Sequence, residues 1–297
     1  MSPNSLSSSR MKLKAGFIVS SLLIVLAMLV AACGGTTQGT TTAKKNKMRV
    51  GAFVGSAFPT ETNPYNNNTS SDAPGVQGFV YEPLFFVNLN DASTTPLLGL
   101  SSSWDSTNTV LTVNLRQGVK WSDGKDFSSA DVAFTFNTVL TKNKNIADVQ
   151  GDWSYLKSVA ASDANTVVFT FKAAYTPAAY YVLSQTYIVP QHIWSTVNNP
   201  STDNPPLVGT GPLVQSKFSP ALLVYTRNAN YWNNSANKID EVDFPAVKDN
   251  ATLEEELIAG QLDWASFGAD ASLKTAYVGK DPDHNKYYFS STAVVAL

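Results

Sequence analysis

Side chains able to do covalent or acid–base chemistry are few in this chain. There are two histidines, His192 and His284, and neither has a partner at metal-ligand spacing. No G-x-S-x-G stretch offers a nucleophile elbow, so a serine hydrolase finds no foothold. Glu254, Glu255 and Glu256 stand together, but they open a helical pattern, where the positive end of the helix dipole favours acids. His192 follows Pro190 and Gln191 and reads as a structural histidine. The one cysteine, Cys33, ends an apolar run, which points to attachment rather than turnover. Enzymatic activity is therefore not expected, and no metal or cofactor is implied.

The densest patterning lies in residues 115–136, LRQGVKWSDGKDFSSADVAFTF. It reads as a corner of a fold. Lys120 closes a strand, and Ser122, Asp123 and Gly124 supply turn chemistry: Asp bonds its own downstream backbone and Gly takes a positive φ. Ser128 followed by Asp131 forms a capping-box-like pair. The helix that follows places Val132, Phe136 and Val139 on one face. Trp121 is expected to pack under the turn with its indole N–H on a carbonyl. Elsewhere, residues 48–54 (MRVGAFV) read as a strand, and residues 109–116 and 165–172 alternate as strands do. VQGFVYEPLFFVN is helix or strand. Residues 252–263 (TLEEELIAGQLD) read as a helix ended by Gly260. Strands and helices mix without strict alternation and without an internal repeat, so the fold class is α/β in the broad sense, a mixed α+β body.

The chain has 297 residues, 43% hydrophobic and 15% charged, enough for one large domain or two lobes. The formal charge is -2, and residues 1–33 hold Arg10, Lys12 and Lys14 with no acid. Beyond AKKNK at 43–47 there is no basic run, which argues against a nucleic-acid partner. Basic residues followed by the uncharged stretch from Ala15 to Ala32 form a secretory signal pattern. About 18 apolar residues could also nearly span a bilayer as a retained anchor. The ending, Leu29-Val30-Ala31-Ala32-Cys33, resembles the bacterial lipobox, whose cysteine thiol receives a lipid. Residues 1–33 are thus read as a lipoprotein signal peptide, with Met1 or Met11 as the start, and the Gly/Thr-rich 34–47 as a flexible tether. The expected location is the extracytoplasmic face, in a periplasm or on a cell surface, with the membrane held through the lipid.

Residues 96–140, PLLGLSSSWDSTNTVLTVNLRQGVKWSDGKDFSSADVAFTFNTVL, resemble the family 5 extracellular solute-binding proteins of ABC importers, the oligopeptide, dipeptide and nickel type. NPYNNNTSSDAPGVQGFVYEPLF (63–85), YIVPQHIW (187–194), VGTGPL (208–213), YTRNANYWN (225–233) and the stretch 240–265 resemble further pieces of that family in its order. The resemblance implies a type II periplasmic-binding-protein clamp of two lobes. Its first lobe would take residues 48–83 and 203–275, an extra domain would take 84–202, and 276–297 would begin a second lobe that is largely missing. It implies a lipid-anchored receptor that captures a small solute, with a short peptide the first expectation, and hands it to the permease subunits of an ABC importer. A nickel complex or an oligosaccharide is the alternative solute. A surface lipoprotein with no transport role is the alternative of another class.

Candidate solute contacts follow from the same resemblance. The run Asn66, Asn67, Asn68, Thr69 and Ser70 corresponds to a loop that lines the family's cleft, and its amides and hydroxyls suit a peptide backbone. Trp153 and Tyr155 stand where some relatives stack an aromatic on solute, with core packing as the competing reading. Trp264, Ser266 and Phe267 follow Asp263 at the expected cleft floor. Strand alternation puts Trp264 and Ser266 on one face and Phe267 on the other. GTGP (209–212) is read as structural, allowing a sharp bend at the lobe junction, and Arg227 as a residue that caps or pairs.

Overall fold

In a computed structural model of the protein, residues 46–286 are described apart from 53–54, 56, 59–61, 66–72, 89–90, 92, 142–145, 147–152 and 266–270. The first half of the chain gives β1 (Lys47–Gly51), β2 (Phe85–Val87), β3 (Thr94–Pro96), β4 (Gly99–Trp104), β5 (Val110–Leu115), α1 (Ser129–Phe134), β6 (Leu156–Asp163) and β7 (Thr166–Phe171). The rest gives α2 (Ala178–Tyr180), α3 (Gln191–Trp194), β8 (Leu213–Ser219), β9 (Leu222–Arg227), β10 (Glu241–Pro245), α4 (Asn250–Ile258), β11 (Trp264–Ala265) and α5 (Ala271–Lys280). The stretch VQGFV (76–80) is neither of the expected elements. It is a wide helical turn interrupted at Gln77 and Gly78.

Alternation in the sequence builds an antiparallel sheet in the order β4-β5-β7-β6. Leu111, Val113 and Leu115 of β5 and Val167, Phe169 and Phe171 of β7 turn inward. Onto that face packs α1, which runs on into a wider turn over 135–140, and it buries Val132, Phe136 and Val139. Its start is the expected box: the Ser128 N–H donates to Asp131 Oδ2 at 2.9 Å, and the Ala130 N–H donates to Ser128 Oγ at 3.3 Å. The turn before it also forms. Gly124 has φ of 89°, which a side chain would strain, and Asp123 Oδ1 accepts from the Lys125 N–H at 3.2 Å.

Trp121 is fully buried beneath this turn, with its ring edge-on to Phe127 at 5.8 Å. The expected bond from its indole N–H to a carbonyl is not made. That N–H meets no acceptor in hydrogen-bond geometry, and it favours the Asp131 carboxylate at longer range. Ring packing, not the donor, fixes this side chain.

The second sheet is mixed, in the order β11-β1-β10-β9-β8. β1 runs parallel to both neighbours, so it draws its partners from residues 194 positions later in β10 and 214 later in β11. Lys47 fastens the parallel pair, reaching Glu241 at 2.8 Å and Asp243 at 2.6 Å. α4 covers one face through Leu253 and Leu257, which pack with Val247 and Leu262. This helix begins two residues before the expected start, because Asp249 caps it by accepting from the Thr252 N–H at 2.8 Å. Arg227 pairs with Asp240 at 2.7 Å, the structural role expected of it.

The GTGP stretch bends at Thr210, Gly211 and Pro212, without a left-handed glycine. Among the described glycines with positive φ, Gly209 and Gly211 do not figure. What excludes a side chain is proximity: a Cβ on Gly209 would sit 1.9 Å from the Val80 carbonyl oxygen, and one on Gly211 2.3 Å from that of Phe79. The two backbones touch, with the Gly211 N–H donating to the Val80 carbonyl at 2.9 Å. Gly209 is also paired to the Trp121 turn, accepting from the Ser122 N–H at 2.8 Å. This short segment therefore ties the strand β8 to both the 76–80 turn and the 121–124 turn.

Candidate functional site

β11 is placed by a carboxylate. Asp263 Oδ2 accepts from the Arg49 N–H at 2.7 Å, and the Asp263 N–H donates back to the Arg49 carbonyl at 2.9 Å. That exchange sets Trp264 opposite Val50 and Ala265 opposite Gly51. Ala265 then packs toward the leucines under α4, and the Trp264 ring goes to the other face, 47% exposed. There it borders a cavity of about 550 Å³ with Met48, Val50, Phe79, Phe244 and Gln77. The wall is apolar except for the Gln77 amide, whose Nε2 donates to the Pro64 carbonyl at 3.1 Å. Such a space can take an apolar or aromatic group and leave few polar contacts to orient it. Met48 and Val50 alternate along β1, with Ala52 just past its end, so the cavity lies against one face of the sheet.

Trp153 and Tyr155 are placed elsewhere. Trp153 is 6% exposed and meets Phe136 edge-on at 5.2 Å. Tyr155 stacks on Phe171 with ring planes 17° apart, and touches Tyr175. Both belong to the aromatic packing of the antiparallel sheet, and neither borders the Trp264 cavity. Asn66, Asn67, Asn68, Thr69, Ser70, Ser266, Phe267 and Cys33 lie outside the described residues.

A second cavity, of about 490 Å³, was not anticipated from the sequence. Glu82 forms part of its wall and is only 2% exposed. Its carboxylate accepts from Tyr231 Oη at 3.3 Å and from Trp232 Nε1 at 3.2 Å. Burial pushes the carboxyl up to about 7 against the pull of the Thr210 hydroxyl, the Trp232 and Tyr231 donors and the Arg116 charge. Arg116 makes no ion pair with it but lies over the Trp232 ring, 3.7 Å from the centroid. The Tyr231 phenol is pushed up in turn, first by burial and then by the neighbouring carboxylate. In the sequence, the signal was a lone acid set among apolar residues in VYEPLF.

His192 is satisfied, as its setting suggested. Its Nε2 lies 2.7 Å from Asp123 Oδ2, and its ring is edge-on to Trp121. Among the described residues, no group of three His, Cys, Asp or Glu side chains could hold a metal ion.

The sequence matches the family described as bacterial extracellular solute-binding proteins, family 5 Middle, over residues 93–297. The chain belongs to this family. As a family 5 solute-binding protein it is 25% identical to the oligopeptide-binding protein AppA of Bacillus subtilis, over 89% of this chain and 50% of that one. Among solved structures it is similar to a mannohexaose-bound periplasmic oligopeptide-binding protein of Thermotoga maritima. The TM-score there is 0.68 with 27% identity, covering 80% of this chain and 44% of that one. The Bacillus subtilis AppA structure, in complex with a nonapeptide, gives a TM-score of 0.64 at 23% identity, over 77% and 45% of the two chains. The mixed α/β architecture is thus that of the type II clamp proteins. This chain spans about half the length of the relatives it matches.

Proposed function

We propose that this family 5 protein is the receptor of an ABC importer and that it captures short peptides outside the cytoplasm. The match over residues 93–297 carries the reading. The oligopeptide-binding names of its relatives favour a peptide. Trp264, exposed at the edge of an apolar cavity, is the described residue that best fits a contact with a peptide side chain. The Asn66–Ser70 run and Ser266 and Phe267, next to it in sequence, are assigned to the same cleft. Cys33 carries the lipid that holds the protein at the membrane, and residues 34–47 are its tether. Closure on the solute shifts the population toward a form that docks on the permease.

Residues 48–83 and 203–275 are read as the first lobe and 84–202 as the extra domain. Support comes from the two sheets: β1 and β8–β11 make one, and β4–β7 make the other. An oligosaccharide is a second reading, favoured by the mannohexaose on the Thermotoga maritima relative and by the exposed indole of Trp264. Mass spectrometry of solute carried through native purification separates the two. Co-purified short peptides support the first reading and co-purified sugars the second.

A further inference from the structure

The Glu82 cavity shares no lining residue with the Trp264 cavity, and its chemistry is different. Glu82 is the charged side chain of its wall. An ionised carboxylate offers about four lone-pair sites. Here two donors lie at 3.2 and 3.3 Å, longer than the roughly 2.7–2.9 Å of a charge-assisted bond, and the Thr210 hydroxyl adds its pull from outside hydrogen-bond geometry. The nearest cation, Arg116, is engaged elsewhere: its Nε donates to the Leu97 carbonyl at 2.8 Å, and its guanidinium faces Trp232. A buried carboxylate held this loosely is under-compensated, and an incoming cation would complete it.

The larger part of the remaining wall is apolar, with Pro83, Phe86, Val87, Leu97 and Pro212, and Thr95, Ser184, Gln185, Tyr187 and Tyr231 add polar groups to it. Phe86 is 58% exposed and offers a ring face at the rim. A bare metal ion is a poor occupant, since Glu82 is the one carboxylate of the wall and no group of three His, Cys, Asp or Glu side chains stands among the described residues. We infer that this cavity is a binding site for a small amphiphilic monocation, an alkylammonium whose head pairs with Glu82 and whose tail lies on the apolar wall. The site does not depend on what the Trp264 cavity holds.

The test uses the full chain and the Trp232 indole N–H resonance, which reports directly on Glu82. Propylammonium chloride is titrated against propanol, its uncharged counterpart. Propylammonium is expected to shift the resonance saturably, and propanol at least tenfold more weakly. Only ionised Glu82 is competent, so affinity should rise about tenfold between about pH 6 and about pH 8. The other groups facing this carboxylate are Arg116, Tyr231 and Tyr187, and burial raises both phenols above their ordinary value, away from that range. In Glu82→Gln, which keeps an acceptor for both donors, propylammonium binding should fall at least tenfold. The inference is overturned by equal binding of amine and alcohol, by unchanged affinity in Glu82→Gln, or by no saturable shift up to about 100 mM amine. If the variant does not fold, the amine–alcohol difference and its pH dependence in the wild type decide the matter alone.

Discussion

Glu82 sets a stability that depends on pH in a predictable direction. Its folded-state carboxyl is raised from 4.5 to about 7, chiefly by burial. The folded protein therefore binds this proton more tightly than the unfolded chain does. Below about pH 4.5 both states are protonated and nothing is lost. As the pH rises to about 7, the unfolded chain ionises freely while the folded protein still resists, so stability falls. Above about 7 the loss levels off. At about 1.36 kcal/mol per pH unit, the full difference is about 3 kcal/mol. Glu82→Gln removes the ionisation while keeping the Tyr231 and Trp232 donors supplied. The variant should match the wild type near pH 4.5 and exceed it by about 3 kcal/mol at about pH 8. Urea unfolding of both proteins across this range measures the difference directly, and other groups cancel in the comparison. A difference that does not change with pH, or a variant less stable than the wild type at about pH 8, would refute the reasoning.

Three further outcomes follow from the packing and from the N-terminal pattern. Trp121→Ala should cost about 3–5 kcal/mol in urea unfolding, because a fully buried indole is lost; a loss below about 1 kcal/mol would mean the corner repacks around it. Gly209→Ala should cost about 2–3 kcal/mol, since its Cβ would collide with the Val80 carbonyl oxygen, and an unchanged unfolding midpoint would show that the two backbones separate easily. Cys33→Ser should move the protein from membranes to the medium or soluble fraction, whereas retention would identify residues 15–32 as an anchor that is kept.

Local patterns in the sequence carried the elements well. Alternation located β5 and β7, and the Ser128–Asp131 pair located the start of α1, because each depends on neighbours a few residues away. The parallel pairing of β1 with β10 and β11 spans most of the chain and leaves no local trace. The same holds for Gly209 and Gly211, which read as turn residues but are needed because Phe79 and Val80 press against them. For the site, Trp153 and Trp264 carry similar signals, aromatics among polar neighbours. Burial separates them at 6% and 47% exposure. Glu82 was the least legible: an acid in an apolar stretch ordinarily turns to solvent, and only tertiary packing put it inside.

Solute capture is the claim on which the rest depends, and titration calorimetry with defined short peptides tests it most directly, alongside Trp264→Ala. The account predicts saturable heat with peptides, reduced in the variant while its unfolding midpoint is retained. Saturable binding of an oligosaccharide or a nickel complex with no response to any peptide would contradict it.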